Sequence, residues 1–135
     1  MRAFIVTLSN RPGGLADLAE GLGEKGINIS GIAAATNGET GAIALITNDD
    51  AGTKSALEAK GVSFREIEVV SAGLEDRPGS LGEAARRLAD AGVNIELVMP
   101  TGMQGSRITV ALGVDDPARA REALGELAAT GAQAI

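Results

Sequence analysis

The chain of 135 residues contains no cysteine, histidine, tryptophan or tyrosine, and Phe4 and Phe64 are its only aromatic residues. Without cysteine there is no disulfide framework and no thiolate metal site, and nothing in the composition reports a redox compartment. Without histidine the commonest general base and metal ligand is missing, so no Ser or Thr has a ready activating partner. With Lys25, Lys54 and Lys60 as the only lysines, the inventory points away from catalysis, and no cofactor or metal is expected. Scarce aromatics leave no stacking platforms for bases, and 12 Lys and Arg against 18 Asp and Glu, a net charge of −6, repel phosphate backbones; nucleic acid is not an expected partner. Long apolar runs are absent too. The run at Ala3 to Val6 is broken by Thr7 and Ser9, too short for a signal-peptide core or a membrane span, so no membrane partner and a cytoplasmic location are expected. A content of 44% hydrophobic and 22% charged residues is that of a folded, soluble chain.

What the chain does have, it has twice. Arg11-Pro12-Gly13-Gly14-Leu15 followed by Gly26-Ile27-Asn28-Ile29 returns 66 residues later as Arg77-Pro78-Gly79-Ser80-Leu81 and Gly92-Val93-Asn94-Ile95. Ten of the 22 positions from Leu8 to Ile29 match their counterparts from Leu74 to Ile95, and the same offset aligns Asp49-Asp50 with Asp115-Asp116. The fold therefore reads as a duplicated unit, residues 1–67 and 68–135. Each half is near the size at which folding alone is marginal, so the halves are expected to share a surface.

Ala3 to Leu8 reads as a buried strand ended by a turn. Leu15, Leu18, Ala19 and Leu22 then form one apolar helical stripe stopping near Gly26, matched by Leu81, Ala84, Ala85 and Leu88 up to Gly92. Ser80 and Glu83 have the spacing of a capping box. Ile27 to Thr36 and Ala42 to Thr47 read as a hairpin, as do Val93 to Met99 and Arg107 to Leu112, with Pro100 marking an edge strand. Asp50 and Asp116 suit N-caps of second helices, about Ala51 to Lys60 and Pro117 to Ala129. Ser63 to Leu74 leaves almost no linker, so the last strand of one repeat runs nearly straight into the first of the next, and a final strand at Ala132 to Ile135 would be short. Strand, helix, strand, strand, helix, strand, with right-handed crossovers, predicts an α+β, ferredoxin-like sandwich in each half: an antiparallel sheet with both helices on one face.

The repeated loop has its own chemistry. Glycines after Pro12 and Pro78 let backbone N–H groups at a helix N-terminus approach a carboxylate or phosphate, and Asn10 or Asp76 could accept from an ammonium group; a free amino acid carries both complements. The competing reading is a turn and a cap. Asn28 and Asn94 open the second strand on the side to which the loop projects, where each either caps the preceding turn or faces a polar ligand. The neutral Ser9-Asn10 against the acidic Glu75-Asp76 predicts that the second pocket tolerates an ammonium better. Ala33-Ala34-Ala35 against Met99-Pro100-Thr101 predicts different volumes.

Asn10 to Leu15 ending in Gly26 to Ile29 closely resembles the signature of the ACT domain, a small-molecule regulatory module of amino-acid metabolism, and Asp76 to Ile95 resembles it again. The resemblance covers the whole chain as a tandem pair. It implies ferredoxin-like units paired side by side into an eight-stranded sheet, with an amino acid at the seam. It implies pockets formed by Asn10, Arg11, Pro12, Gly13, Gly14 and Leu15, and by Asp76, Arg77, Pro78, Gly79, Ser80 and Leu81, with Asn28, Ile29, Asn94 and Ile95 contributed from facing edge strands. The expected function is non-catalytic, amino-acid-binding allosteric regulation by a homodimer. The alternative is a regulatory subunit or transcription-linked adaptor that acts mainly through protein contacts on an enzyme or regulator.

Overall fold

The computed structural model describes residues 1–129. Its elements are β1 (Arg2–Ser9), α1 (Gly14–Glu24), β2 (Ile29–Asn37), β3 (Thr40–Thr47), α2 (Asp50–Lys60), β4 (Ser63–Glu75), α3 (Ser80–Asp90), β5 (Ile95–Gln104), β6 (Arg107–Val114) and α4 (Pro117–Leu124), closed by a 3-10 turn at Gly125–Leu127. The chain divides into two compact units, Arg2–Glu66 and Met1 together with the chain from Ile67 onward. The division falls inside the unbroken strand β4, as the absence of Gly or Pro before Gly73 predicts.

In the Arg2–Glu66 unit, β3 lies antiparallel between β1 and β2, and the first residues of β4 lie on the other side of β1. This strand order, with a helix between β1 and β2 and another between β3 and β4, is ferredoxin-like. Register puts Phe4 opposite Leu45 and Val6 opposite Ile43. These four share a face with Leu18 and Leu22 of α1 and Ala56 and Leu57 of α2, forming one buried core under both helices. Phe64 packs on that core, its ring 6.2 Å from that of Phe4. With so few aromatics, this tilted pair supplies the largest volume in a core otherwise made of Ala, Val, Ile and Leu.

The second unit repeats the plan. β6 lies antiparallel between β4 and β5, and Val70, Ala72, Val110 and Leu112 face Ala84, Leu88, Ala120 and Leu124 in its core. An isolated antiparallel bridge joins Ala72 to Ala128, and Ala129 N–H donates to Ser71 O at 2.8 Å. The predicted final strand at Ala132 to Ile135 lies outside the described residues.

Helix ends follow local rules with some departures from expectation. Gly26 (φ 71°) and Gly92 (φ 73°) take the left-handed conformation after α1 and α3. The N–H groups of Ile27 and Val93 reach back to Leu22 O and Leu88 O at 3.0 and 2.9 Å, each a Schellman closure with its apolar contact. The N-cap of α2 is Asp49, one residue before the expected Asp50, and Asp116 caps α4 as read, with Pro117 in its first turn. α4 ends at Leu124 instead of Ala129 because Gly125 (φ 57°) breaks it. The Ser80 and Glu83 capping box does not form. The N-cap is Gly79, and Ser80 is already helical.

The constant offset of 66 also fails. In β5, Pro100 pairs with Val110 and Gly102 with Thr109, leaving Thr101 as an extra residue whose hydroxyl bonds Thr109 O at 3.3 Å. From this bulge onward the repeats correspond at one residue more: Asp116 matches Asp49, and Gly102, not Thr101, matches Ala35. Pro100 lies on β5, the outermost strand of its unit's sheet, as expected.

Candidate functional site

Each loop is folded by one glycine and one arginine. Gly13 (φ 89°) and Gly79 (φ 91°) are the N-caps of α1 and α3 in a left-handed conformation, and neither helix receives a side-chain cap. The helices α2 and α4, by contrast, are capped by Asp49 and Asp116. The first N–H groups of a helix have no partner within it, so α1 and α3 present uncapped, electropositive ends where the loops turn. The Arg11 guanidinium lies over Gly13, donating to Pro12 O at 3.1 Å and to Asp17 at 3.4 Å. Arg77 repeats this with Pro78 O and Glu83, and adds Glu75; both carboxylates bind it at 2.9 Å. These bonds, Glu83 first, raise the Arg77 pKa, and Arg77 holds the Glu83 carboxyl below the ordinary glutamate range. Glu75 is thus committed to Arg77 and does not offer its charge freely to a second pocket, contrary to the simple charge comparison.

Asn10 and Asp76 take the same place. The N–H of Asn10 donates to Glu39 O at 2.7 Å and its side-chain amide to Gly38 O at 2.9 Å, tying the loop to the β2–β3 turn; its Oδ1 is left as an acceptor. The N–H of Asp76 donates to Ser106 O in the matching turn at 3.0 Å.

Two clefts flank each loop. On the hairpin side, Asn10, Arg11, Gly14 and Leu15 border a cleft of about 360 Å³ closed by Ala34, Ala35, Thr36, Ala42 and Ile43. The corresponding cleft in the second unit, of about 240 Å³, is bordered by Asp76, Arg77, Gly79, Ser80 and Leu81 and closed by Ile108 and Val110. On the helix side, a cleft of about 380 Å³ runs from Arg11 and Gly14 to Lys60 and Ser63, and its counterpart of about 330 Å³ from Arg77 to Arg87 and Glu126. Leu15 and Leu81, each 49% exposed, therefore wall the hairpin-side clefts and not the core their stripe predicts. Pro12 and Pro78 shape the turn through their carbonyls, outside the cleft walls.

Asn28 and Asn94 are not at the loops. Each is exposed at the opposite end of its strand, with its N–H donating to Asn48 Oδ1 or Asp115 Oδ1 at 2.9 Å. At roughly 3.3 Å per residue, the nine residues of β2 separate Asn28 from the Asn10 loop by about 30 Å. Ile29 and Ile95, just beyond, pack on the two cores. The cleft residues missed from sequence are Lys60 and Ser63, and the floor at Thr36, Ala42 and Ile43. The run Ala33-Ala34-Ala35, where side chains are small, was the one signal for that floor. Among the described residues no group of three His, Cys, Asp or Glu could hold a metal ion, and no helix is long and apolar enough to cross a membrane.

The elements and the loop together define a ferredoxin-like module with a glycine-turned, uncapped helix start beside a cleft. Residues 3–60 match the family model of the ACT domain. The whole fold is similar to that of protein BT0572 from Bacteroides thetaiotaomicron, with TM-score 0.78 and 24% identity over 93% of this chain and 86% of that one. The ligand-free regulatory subunit of aspartate kinase from Thermus thermophilus is similar at TM-score 0.66 and 18% identity, over 93% and 90%. Aspartate kinase from Synechocystis is similar at TM-score 0.68 and 21% identity, over 93% of this chain and 25% of that chain. No curated protein matches the chain.

Proposed function

We propose that the protein is a non-catalytic, amino-acid-binding regulator of amino-acid metabolism, in which both repeats, residues 1–67 and 68–135, are ACT-like units. The observation that carries the reading is the contrast among its helices: α2 and α4 are capped by aspartates, whereas α1 and α3 begin uncapped beside a cleft. Gly14 and Ser80 donate their N–H groups to Arg11 O and Arg77 O at 3.3 and 3.4 Å, but the positive helix end still favours a carboxylate, and Asn10 Oδ1 is placed to accept from an ammonium. The ACT match over this stretch supports the same ligand class. Asn10 and Asn28 lie too far apart within one unit to hold one small molecule. A ligand touching both takes Asn28 or Asn94 from a second copy in a cytoplasmic homodimer with an eight-stranded sheet. Binding at such a seam would stabilise the paired state and pass occupancy to an enzyme or regulator.

Thermal shift and calorimetry against each proteinogenic amino acid test this. A saturable stabilisation by at least one is expected, and a folded sample that responds to none refutes it. A second reading, a regulatory subunit or transcription-linked adaptor working through protein contacts, is favoured by Ile32 and Val98, exposed by 44% and 41% at matching positions of the two repeats. Co-purification of a stoichiometric partner with unchanged affinity in the presence of amino acids would support that reading.

A further inference from the structure

The two loops share a left-handed glycine N-cap and differ, besides Asn10 against Asp76, at residue 14 or 80, a position that borders both clefts of its unit. In the first repeat it is Gly14. A methyl group there would stand 3.5 Å from Ser9 O, in ordinary contact, so the space is available and empty. In the second repeat it is Ser80, whose single hydroxyl hydrogen is donated to Glu75 O at 2.7 Å, with Arg77 O also within reach at 3.2 Å. Ser80 thus stitches the strand end to the helix start and occupies the Glu75 carbonyl. The arginines follow the same division. Arg77 is clamped by two carboxylates at 2.9 Å, whereas Arg11 has one, at 3.4 Å. The hairpin-side cleft is about 360 Å³ in the first repeat and about 240 Å³ in the second. Only the former lies within the roughly 300–1,000 Å³ of small-molecule sites.

We propose that the loops are unequal by construction: one amino acid binds per chain, at the Gly14 loop, while in the Ser80 loop the Glu75 carbonyl and the Arg77 guanidinium are already occupied by bonds within the loop. This rests on the amino-acid-binding reading above. In the first repeat, Ser9 O, which receives no side-chain hydroxyl from position 14, and Asn10 Oδ1 receive the ammonium. Arg11, less tightly held than Arg77, turns toward the carboxylate. The walls of small side chains at Ala34, Ala35 and Ala42 admit the ligand's own side chain.

The test is isothermal titration of the full chain with each proteinogenic L-amino acid, comparing wild type with Gly14→Ser and Ser80→Gly. Gly14→Ser folds, because its hydroxyl can repeat the bond that Ser80 makes, and far-UV circular dichroism verifies this. For the amino acid that binds, we expect one site per chain in the wild type and affinity weakened at least about tenfold by Gly14→Ser, one lost hydrogen-bonding group. Ser80→Gly should leave the first site intact and expose a second, weaker one. Two equal sites in the wild type, or unchanged binding in Gly14→Ser, would overturn the inequality while leaving the sensor reading standing. No binding by any amino acid to the folded wild type would overturn both.

Discussion

Gly13 and Gly14 are neighbours in sequence with opposite expected responses to the same substitution. Gly13 has φ 89°, and an added Cβ would meet nothing closer than the Arg11 Nη1 at 3.6 Å, so the entire cost of Gly13→Ala is backbone strain. Holding an L-residue in the left-handed region costs about 1–2 kcal/mol. Reduced freedom of the unfolded chain returns about 0.4–1 kcal/mol, leaving a net loss near 1 kcal/mol. Gly14 is the first residue of α1, has no positive φ, and has room for a methyl at 3.5 Å from Ser9 O. There the unfolded-state term acts alone, and Gly14→Ala should stabilise by about 0.5 kcal/mol. The two variants should therefore differ by about 1.5 kcal/mol, or roughly 0.5–1.5 M in urea midpoint at the usual slopes. The chain has no tryptophan or tyrosine, so far-UV circular dichroism is the probe. Equal midpoints for the two alanines would refute the claim that the loop is shaped by a left-handed glycine at one position only.

Three further outcomes are expected. Gly52→Ala should destabilise α2 by about 1 kcal/mol despite the better helix propensity of alanine, because the methyl would collide with the Asp49 carboxylate that caps the helix through Gly52 N–H; chemical denaturation measures it. The Ser71 hydroxyl is buried with no hydrogen-bond partner among the described residues, so Ser71→Ala should be neutral or stabilising by up to about 1 kcal/mol, and a clear loss of stability would reveal a hidden partner. Glu83 should titrate below the ordinary value of about 4.3 in carboxyl NMR and move back toward it in Arg77→Gln, with Arg87 still lowering it. Because its folded-state pKa is lowered, the contribution of this pair is complete above the ordinary value and is lost as pH falls through the lowered one.

The architecture was largely written in local pattern. Repeats of Leu18 and Leu22, Ala84 and Leu88 set the helices, and Ile108, Val110 and Leu112, two residues apart, mark the core face of β6. Gly26 and Gly92 marked the helix ends, and the unbroken run before Gly73 foretold β4. What local pattern could not supply was competition for shared atoms. Ser80 and Glu83 have the spacing of reciprocal caps, but Glu83 is drawn to Arg77, a stronger charged partner, and Ser80 to Glu75 O. Leu15 and Leu81 belong to an apolar stripe yet lie in the first turn of their helices, beside the loops, where they wall the clefts. The residue pattern alone puts Asn28 on the side of its own loop, because sequence gives the length of a strand but not which of its ends a neighbouring turn approaches. The Asn48 and Asp115 acceptors that fix that end lie some 20 residues away in the chain.

The single inserted residue at Thr101 has a consequence for anyone recombining the halves. Strand side chains alternate with a period of two, so a graft of the Ala33 to Thr47 hairpin into the second repeat at constant numbering would carry inward-facing residues to the outside beyond Pro100. A chimera should advance its splice by one position past the bulge. Built so, it would ask whether the duplicated hairpins are still interchangeable after drifting apart.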